Sequence, residues 1–153
     1  MALVLDASIT LAWAFQEVEP TASEARERLR REDAVVPSLW WCEMRNGLVM
    51  GERRGLLTEQ RTARFLRDLS HITINIDRVP DEMVVLTLAR HRRLTVYDAA
   101  YLELALRHAV PLATLDQALA SAARAEGVSV IGHSTRYPGA PSMGLAIEAL
   151  MLI

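Results

Sequence analysis

The chain has no lysine: its 17 basic residues are all arginine. Chemistry that depends on a lysine amine is therefore excluded. That removes Schiff-base enzymes, P-loop NTPases of the usual pattern, and the receiver and phosphohydrolase designs whose acidic pocket includes a lysine. Cysteine is nearly absent as well. Cys42 stands alone, so no internal disulfide framework exists, and a reducing cytoplasm is the expected compartment. No apolar run is long enough to span a membrane. The apolar stretch Met1 to Phe15 contains Asp6 and lacks a positively charged leading segment, so it reads as strand then helix rather than as a signal peptide. Internal repeats, low-complexity runs and Gly/Ser linkers are missing too. With a net charge of −2, any nucleic-acid role must rest on local basic patches and not on overall attraction.

What remains is an ordinary globular composition. The 153 residues, 51% hydrophobic and 24% charged, suffice for one domain with a full core and are too few for two. Residues 1–132 read as that domain. Residues 133–153 read as a tail whose apolar part, Met143 to Ile153, covers a core edge or a partner surface.

Strand and helix patterns alternate. Ala2 to Leu5 and Ala34 to Val36 read as strands, and Pro37 with Ser38 leads into a helix from Leu39 to about Arg54. Trp40, Met44, Gly47 and Gly51 mark its inner side. Gly55 breaks that helix, and Thr58 caps the next, which runs to about Leu69. Ile72, Ile74 and Ile76 alternate as a strand would. Pro80 suits the first turn of a helix through Arg90, and Thr95 with Asp98 has capping-box spacing before Ala99 to His108. Leu112 to Leu115 reads as a buried strand, Asp116 opens a helix through Glu126 that Gly127 ends, and Val128 to Ile131 reads as a last strand. The fold class is α/β, with a mostly parallel sheet of four to five strands and right-handed crossovers.

In such sheets, sites form beyond the carboxyl ends of the strands. Asp6 and Asp116 each follow a short apolar strand and precede a helix; their plainer reading is N-capping. Glu43 sits one turn into a helix near its apolar side, where a carboxylate is costly unless paired with an arginine such as Arg45 or bound to a metal. Asp98 is the capping-box partner of Thr95, a role compatible with ligation. At an effective dielectric of about 20, two like charges about 4 Å apart repel by roughly 4 kcal/mol, which a hard divalent ion relieves. Oxygen donors without clustered His or Cys favour Mg²⁺ or Mn²⁺ over Zn²⁺. His71, His91, His108 and His133 lie at no ligand spacing and read as surface or helix-end residues. Cys42 reads as a small core residue, and Trp40 and Trp41 as core or interface residues before base-stacking ones.

Four segments, Leu5-Asp6-Ala7-Ser8, Trp41 to Leu48 around Glu43, Tyr97-Asp98-Ala99-Ala100-Tyr101, and Ala113 to Leu119 around Asp116, together resemble the signatures of PIN-domain nucleases, in the same order and spacing. The match is nearest to the VapC-type toxin group. The resemblance implies a metal-dependent endoribonuclease in which Asp6, Glu43, Asp98 and Asp116 hold Mg²⁺, with Mn²⁺ as a possible substitute. It also implies supporting roles for Ser8, Asn46 and Thr114. Ala118 stands where some members carry a further acid. RNA phosphates are then expected at Arg45, Arg90, Arg92 and Arg93. A homodimer and a cognate antitoxin partner are implied as well, with the helices around Leu48 and Phe65 as contact surfaces unless those residues are core. The competing readings are a non-catalytic RNA- or protein-binding module of the same fold and, disfavoured by the missing lysine, a Mg²⁺-dependent phosphatase.

Overall fold

The structure, a computed structural model, describes residues 1–132; the expected tail, including His133, lies outside the described residues. The elements run β1 (Ala2–Leu5), α1 (Ala7–Ala14), α2 (Pro20–Arg28), β2 (Asp33–Pro37), α3 (Leu39–Arg53), α4 (Glu59–Leu69), β3 (Ile74–Asp77), α5 (Glu82–Arg92), α6 (Val96–His108), β4 (Leu112–Ala113) and α7 (Gln117–Ala125). The four strands form one all-parallel sheet in the order β3-β2-β1-β4. Leu3, Val4 and Leu5 are wholly buried, as the central strand of a doubly covered parallel sheet requires. From β1 the chain moves outward to β2 and β3, then crosses back to place β4 on β1's other side. The carboxyl ends of β1 and β4 thus flank the point where strand order reverses, the usual location of an α/β site.

Several expected elements take a different form. Val128 to Ile131 is not a strand: only Val130 bridges Leu112, through Leu112 N–H to the Ser129 carbonyl and Ile131 N–H to the Leu112 carbonyl, both at 2.9 Å. β4 is two residues long, so no longer ladder forms, and Gly132, at φ +99°, packs closely against Thr21. Pro80 precedes the cap instead of opening α5; Asp81 is the N-cap, its side chain accepting from Val84 N–H at 3.1 Å. α2 carries no apolar stripe, since it buries only Ala22 and Ala25, so no helix is expected there from the sequence pattern.

The inner side of α3 is as expected, with Trp40, Met44, Gly47, Leu48 and Gly51 buried. Leu48 belongs to the intramolecular core and offers no partner surface, while Phe65 is partly buried against that core. Cys42 is exposed, not core, because it lies two residues from Trp40 and so points away from the buried side. α1 and α3 approach closely at Gly47, where a β-carbon would lie 2.5 Å from Leu11 Cδ1. Leu11 is wholly buried, so a side chain at position 47 would require its isobutyl group to repack.

Candidate active site

Asp6 follows β1 directly and stands at the N-cap position of α1, yet its side chain makes no capping bond. It is buried, and its Oδ2 accepts from Ser8 Oγ at 2.6 Å and from Thr114 Oγ1 at 2.7 Å. Those hydroxyls are themselves fixed: Ser8 Oγ accepts from Leu115 N–H and Thr114 Oγ1 from Asp116 N–H, each at 3.0 Å. The turn after β1 and the turn after β4 are therefore tied together through one carboxylate. Burial pushes the Asp6 carboxyl up. The Ser8 and Thr114 bonds pull it down, Asp116 raises it, and the Ala7 amide lowers it. Asp116 does cap α7, its Oδ1 accepting from Leu119 N–H at 2.8 Å, so capping and facing Asp6 coexist in one residue.

Glu43 and Asp98 complete the group. Thr95 caps α6 by accepting from Asp98 N–H at 3.1 Å, which sets Asp98 in the first turn. Burial, then Asp6 and Asp116, push its carboxyl up to about 7. Burial likewise pushes Glu43 up to about 7, with Asp6 and Asp98 adding to the rise against the pull of the Tyr101 hydroxyl. That hydroxyl donates to Glu43 Oε1 at 2.6 Å, and the Tyr101 phenol, wholly buried, is itself pushed well above its ordinary range. The four acids thus come from four separate elements into one electrostatic neighbourhood. Among the described residues, every charge that shifts Asp6, Glu43 or Asp98 is another member of the set, and no arginine acts on them.

The donor set fits a hard divalent cation, being all oxygen and uncompensated in charge. Among the described residues, no three Asp, Glu, His or Cys side chains already close around an ion position. Mg²⁺ demands no such cage, since it usually keeps several waters and takes one or two carboxylates.

The remaining sequence candidates fall as follows. Asn46 is exposed and bonds none of the four carboxylates. Arg45 does not pair with Glu43; its guanidinium lies 4.0 Å from the centroid of the Trp41 ring and donates to the Trp41 carbonyl at 3.4 Å. Trp41 is 49% exposed, whereas Trp40 is buried and its Nε1–H donates to Thr10 Oγ1 at 3.1 Å. Arg90 is exposed, and Arg93, also exposed, ends α5 at φ 54°. Arg92 is ion-paired to Glu126 at 2.8 Å. Tyr101 was missed as a site residue. The available signal was its place one turn after Asp98, on the same helix side and inside the quoted segment.

No curated protein matches the chain. Solved structures share its fold. PAE2754 from Pyrobaculum aerophilum aligns over 100% of this chain and 97% of its own, at 19% identity and a TM-score of 0.61. A toxin-antitoxin complex from Klebsiella pneumoniae aligns over 74% of this chain and 86% of its own, at 21% identity and a TM-score of 0.53. FitAcB from Neisseria gonorrhoeae aligns over 85% and 96% respectively, at 16% identity and a TM-score of 0.53. At these identities the likeness concerns the fold. The family model for the PIN domain matches residues 3–125, most of the chain and all four acid-bearing segments, and on that match this protein belongs to the PIN domain family.

Proposed function

We propose that this protein is a Mg²⁺-dependent endoribonuclease of the VapC type, the toxin of a toxin-antitoxin pair. One observation carries the reading: Asp6, Glu43, Asp98 and Asp116 act on one another with, among the described residues, no cationic side chain between them. A purely structural cluster of buried acids would be expected to contain its own arginine. Family membership supports a nuclease, and the likeness in fold to a toxin-antitoxin complex from Klebsiella pneumoniae supports an antitoxin partner.

In this reading Asp6, Glu43, Asp98 and Asp116 hold Mg²⁺, or Mn²⁺ in its place. When bound, the ion supplies Lewis acidity toward the scissile phosphodiester and toward the attacking water. The chain's own residues do the rest. Ser8 and Thr114 hold Asp6 in one rotamer through uncharged donors, leaving its negative charge intact for a cation. Tyr101 does the same for Glu43. Glu43 and Asp98, each near 7 without an ion, release protons as a cation arrives, so binding is linked to pH. Asn46, on the exposed side of α3, is assigned to the rim of the site. Arg45, Arg90 and Arg93 are assigned to RNA phosphates, and Arg92 joins them only by releasing Glu126. A homodimer and a cytoplasmic location complete the proposal.

The open spacing of the carboxylates is the one observation favouring a non-catalytic RNA- or protein-binding module instead. Calorimetry with Mn²⁺, paired with incubation of single-stranded RNA in Mg²⁺, separates the two. Binding and cleavage by the wild type, both lost in Asp6→Asn, are expected. A wild type that binds no Mn²⁺, or RNA cleavage that survives Asp6→Asn, would overturn the nuclease.

A further inference from the structure

Among the described aromatic side chains, Trp13, Phe15, Trp40, Phe65 and Tyr101 are buried or half-buried, and only two are exposed: Trp41, at 49%, and Tyr97, at 62%. Neither packs in the core. Both stand beside a carboxylate of the candidate site. Trp41 lies in the first turn of α3, two residues before Glu43, and Tyr97 in the first turn of α6, directly before Asp98. α3 leaves the carboxyl end of β2, and the start of α6 brings Asp98 to Asp6 beyond the carboxyl end of β1. Both rings therefore belong to the end of the sheet that carries the acids. Residues one or two apart on a helix do not face each other, so each ring stands beside its acid and not over it. Trp41 is also braced. The Arg45 guanidinium lies 4.0 Å from its ring centroid and donates to the Trp41 carbonyl, so the exposure that remains belongs to the rest of the ring.

We propose that Trp41, braced by Arg45, and Tyr97 are stacking platforms for two unpaired bases of an RNA strand seated at the acids. The identity of the ligand rests on the ribonuclease reading. Every base has a π-face, and stacking on aromatic and arginine planes holds a single strand with little sequence preference. A base inside a duplex has both faces covered by its neighbours and is not free to stack on a protein ring, so the two platforms select RNA that is unpaired where it meets the site. Arg45 then has two uses: its plane braces Trp41, and its remaining N–H groups are left for the adjoining phosphate. A second copy of this chain is a poorer occupant. The centre of a protein interface is depleted of charge, and a copy seated on both rings would seal Glu43 and Asp98 from water with no cation supplied. A strand held by its bases leaves those carboxylates open to water and to the divalent ion of the proposed reaction.

The test is RNA binding in EDTA, so that cleavage plays no part. Fluorescence anisotropy compares two end-labelled strands of equal length and charge, an unstructured single-stranded RNA and the same strand made without bases. Wild type, Trp41→Ala/Tyr97→Ala and Trp41→Phe/Tyr97→Phe are measured, with a thermal melt checking each fold and sedimentation velocity the oligomeric state. The wild type is expected to prefer the strand with bases. The alanine pair should lose roughly tenfold for each ring on that strand and nothing on the base-free one. The slope of log Kd against log salt should stay the same, because no phosphate contact is removed. The phenylalanine pair should keep most of the preference, since an aromatic face remains at each position. A wild type with no preference for bases, or an alanine pair that keeps the preference, would overturn the platforms; cleavage by the wild type in Mn²⁺ beside that result would leave the nuclease standing. A wild-type dimer that falls to monomer in the alanine pair would also overturn them, assigning the rings to a contact between copies. Base-dependent binding through both rings, with the strand left uncut in Mn²⁺, would support the platforms and overturn the nuclease.

Discussion

Two clusters of acids in this molecule meet opposite electrostatic fates. At the ends of β1 and β4, burial and mutual repulsion push Glu43 and Asp98 up to about 7. At the end of β3, hydrogen bonds from Arg107, against some burial and with help from His108, hold Asp77 down at about 2. Arg107 spans that second cluster, bonding Asp77 through Nη1 and Nη2 at 2.8 and 3.1 Å and Glu103 through Nε at 2.7 Å. Glu103, wholly enclosed, also accepts from Asp81 N–H at 3.2 Å and so ties α6 to the start of α5. Both clusters contain buried carboxylates fixed by hydrogen bonds. Among the described residues they differ in whether a cation is built in, which separates acids that hold the fold together from acids kept available.

Substitutions should widen that contrast. Asp98→Asn is expected to cut RNA cleavage by roughly a thousandfold, about 4 kcal/mol of transition-state stabilisation. The same change should raise the melting temperature of the metal-free protein, since it removes repulsion. A kinetic assay and a thermal melt on one preparation check both halves; cleavage and stability falling together would make Asp98 a structural acid. Arg107→Ala should do the reverse, costing about 2–3 kcal/mol in denaturant unfolding by stranding Glu103, a figure reduced because Arg107 is itself part-exposed. Mn²⁺ affinity should hardly move.

The pH dependence runs in opposite senses for the two clusters. Glu43 and Asp98 bind protons more tightly when folded, so their contribution to metal-free stability is greatest at low pH and is lost as pH rises from about 4 to about 7. Saturating Mn²⁺ should abolish that decline. Asp77 binds its proton less tightly when folded, so its contribution is present above about 4 and is lost as pH falls toward 2. Melting temperatures across pH, with and without Mn²⁺, read both arms. The smallest effect expected is that of Tyr101→Phe, which deletes the 2.6 Å bond to Glu43. It should cost about 1 kcal/mol in stability and weaken Mn²⁺ binding about tenfold, with the proton release that accompanies binding moved to higher pH.

Much of this arrangement is legible in the sequence where burial leaves a periodic mark. β1 has the predicted bounds, and α3 shows its buried side as Trp40, Met44, Gly47 and Gly51. The four acids stand out as carboxylates that end strands or sit in first turns. What was hidden has physical reasons. α2 buries only small alanines, which leave no apolar stripe. The segment after α7 is apolar like a strand, but β4 is too short to pair with it. Asp6 looks like an N-cap, and only the fold brings Thr114, 108 positions away, to one of its oxygens.

Gly47 gives the molecule a weak point remote from its acids. It sits one helical turn beyond Glu43, and a β-carbon there would meet the Leu11 side chain at 2.5 Å. An added methyl there must displace Leu11 between the two helices, and a shift of α3 in response would move Glu43 relative to its tyrosine while leaving every carboxylate in the sequence. If the protein is toxic to its host, survivors of its unrestrained expression should therefore include alanine or serine at this position, disarmed by a change in spacing and not by loss of an acid.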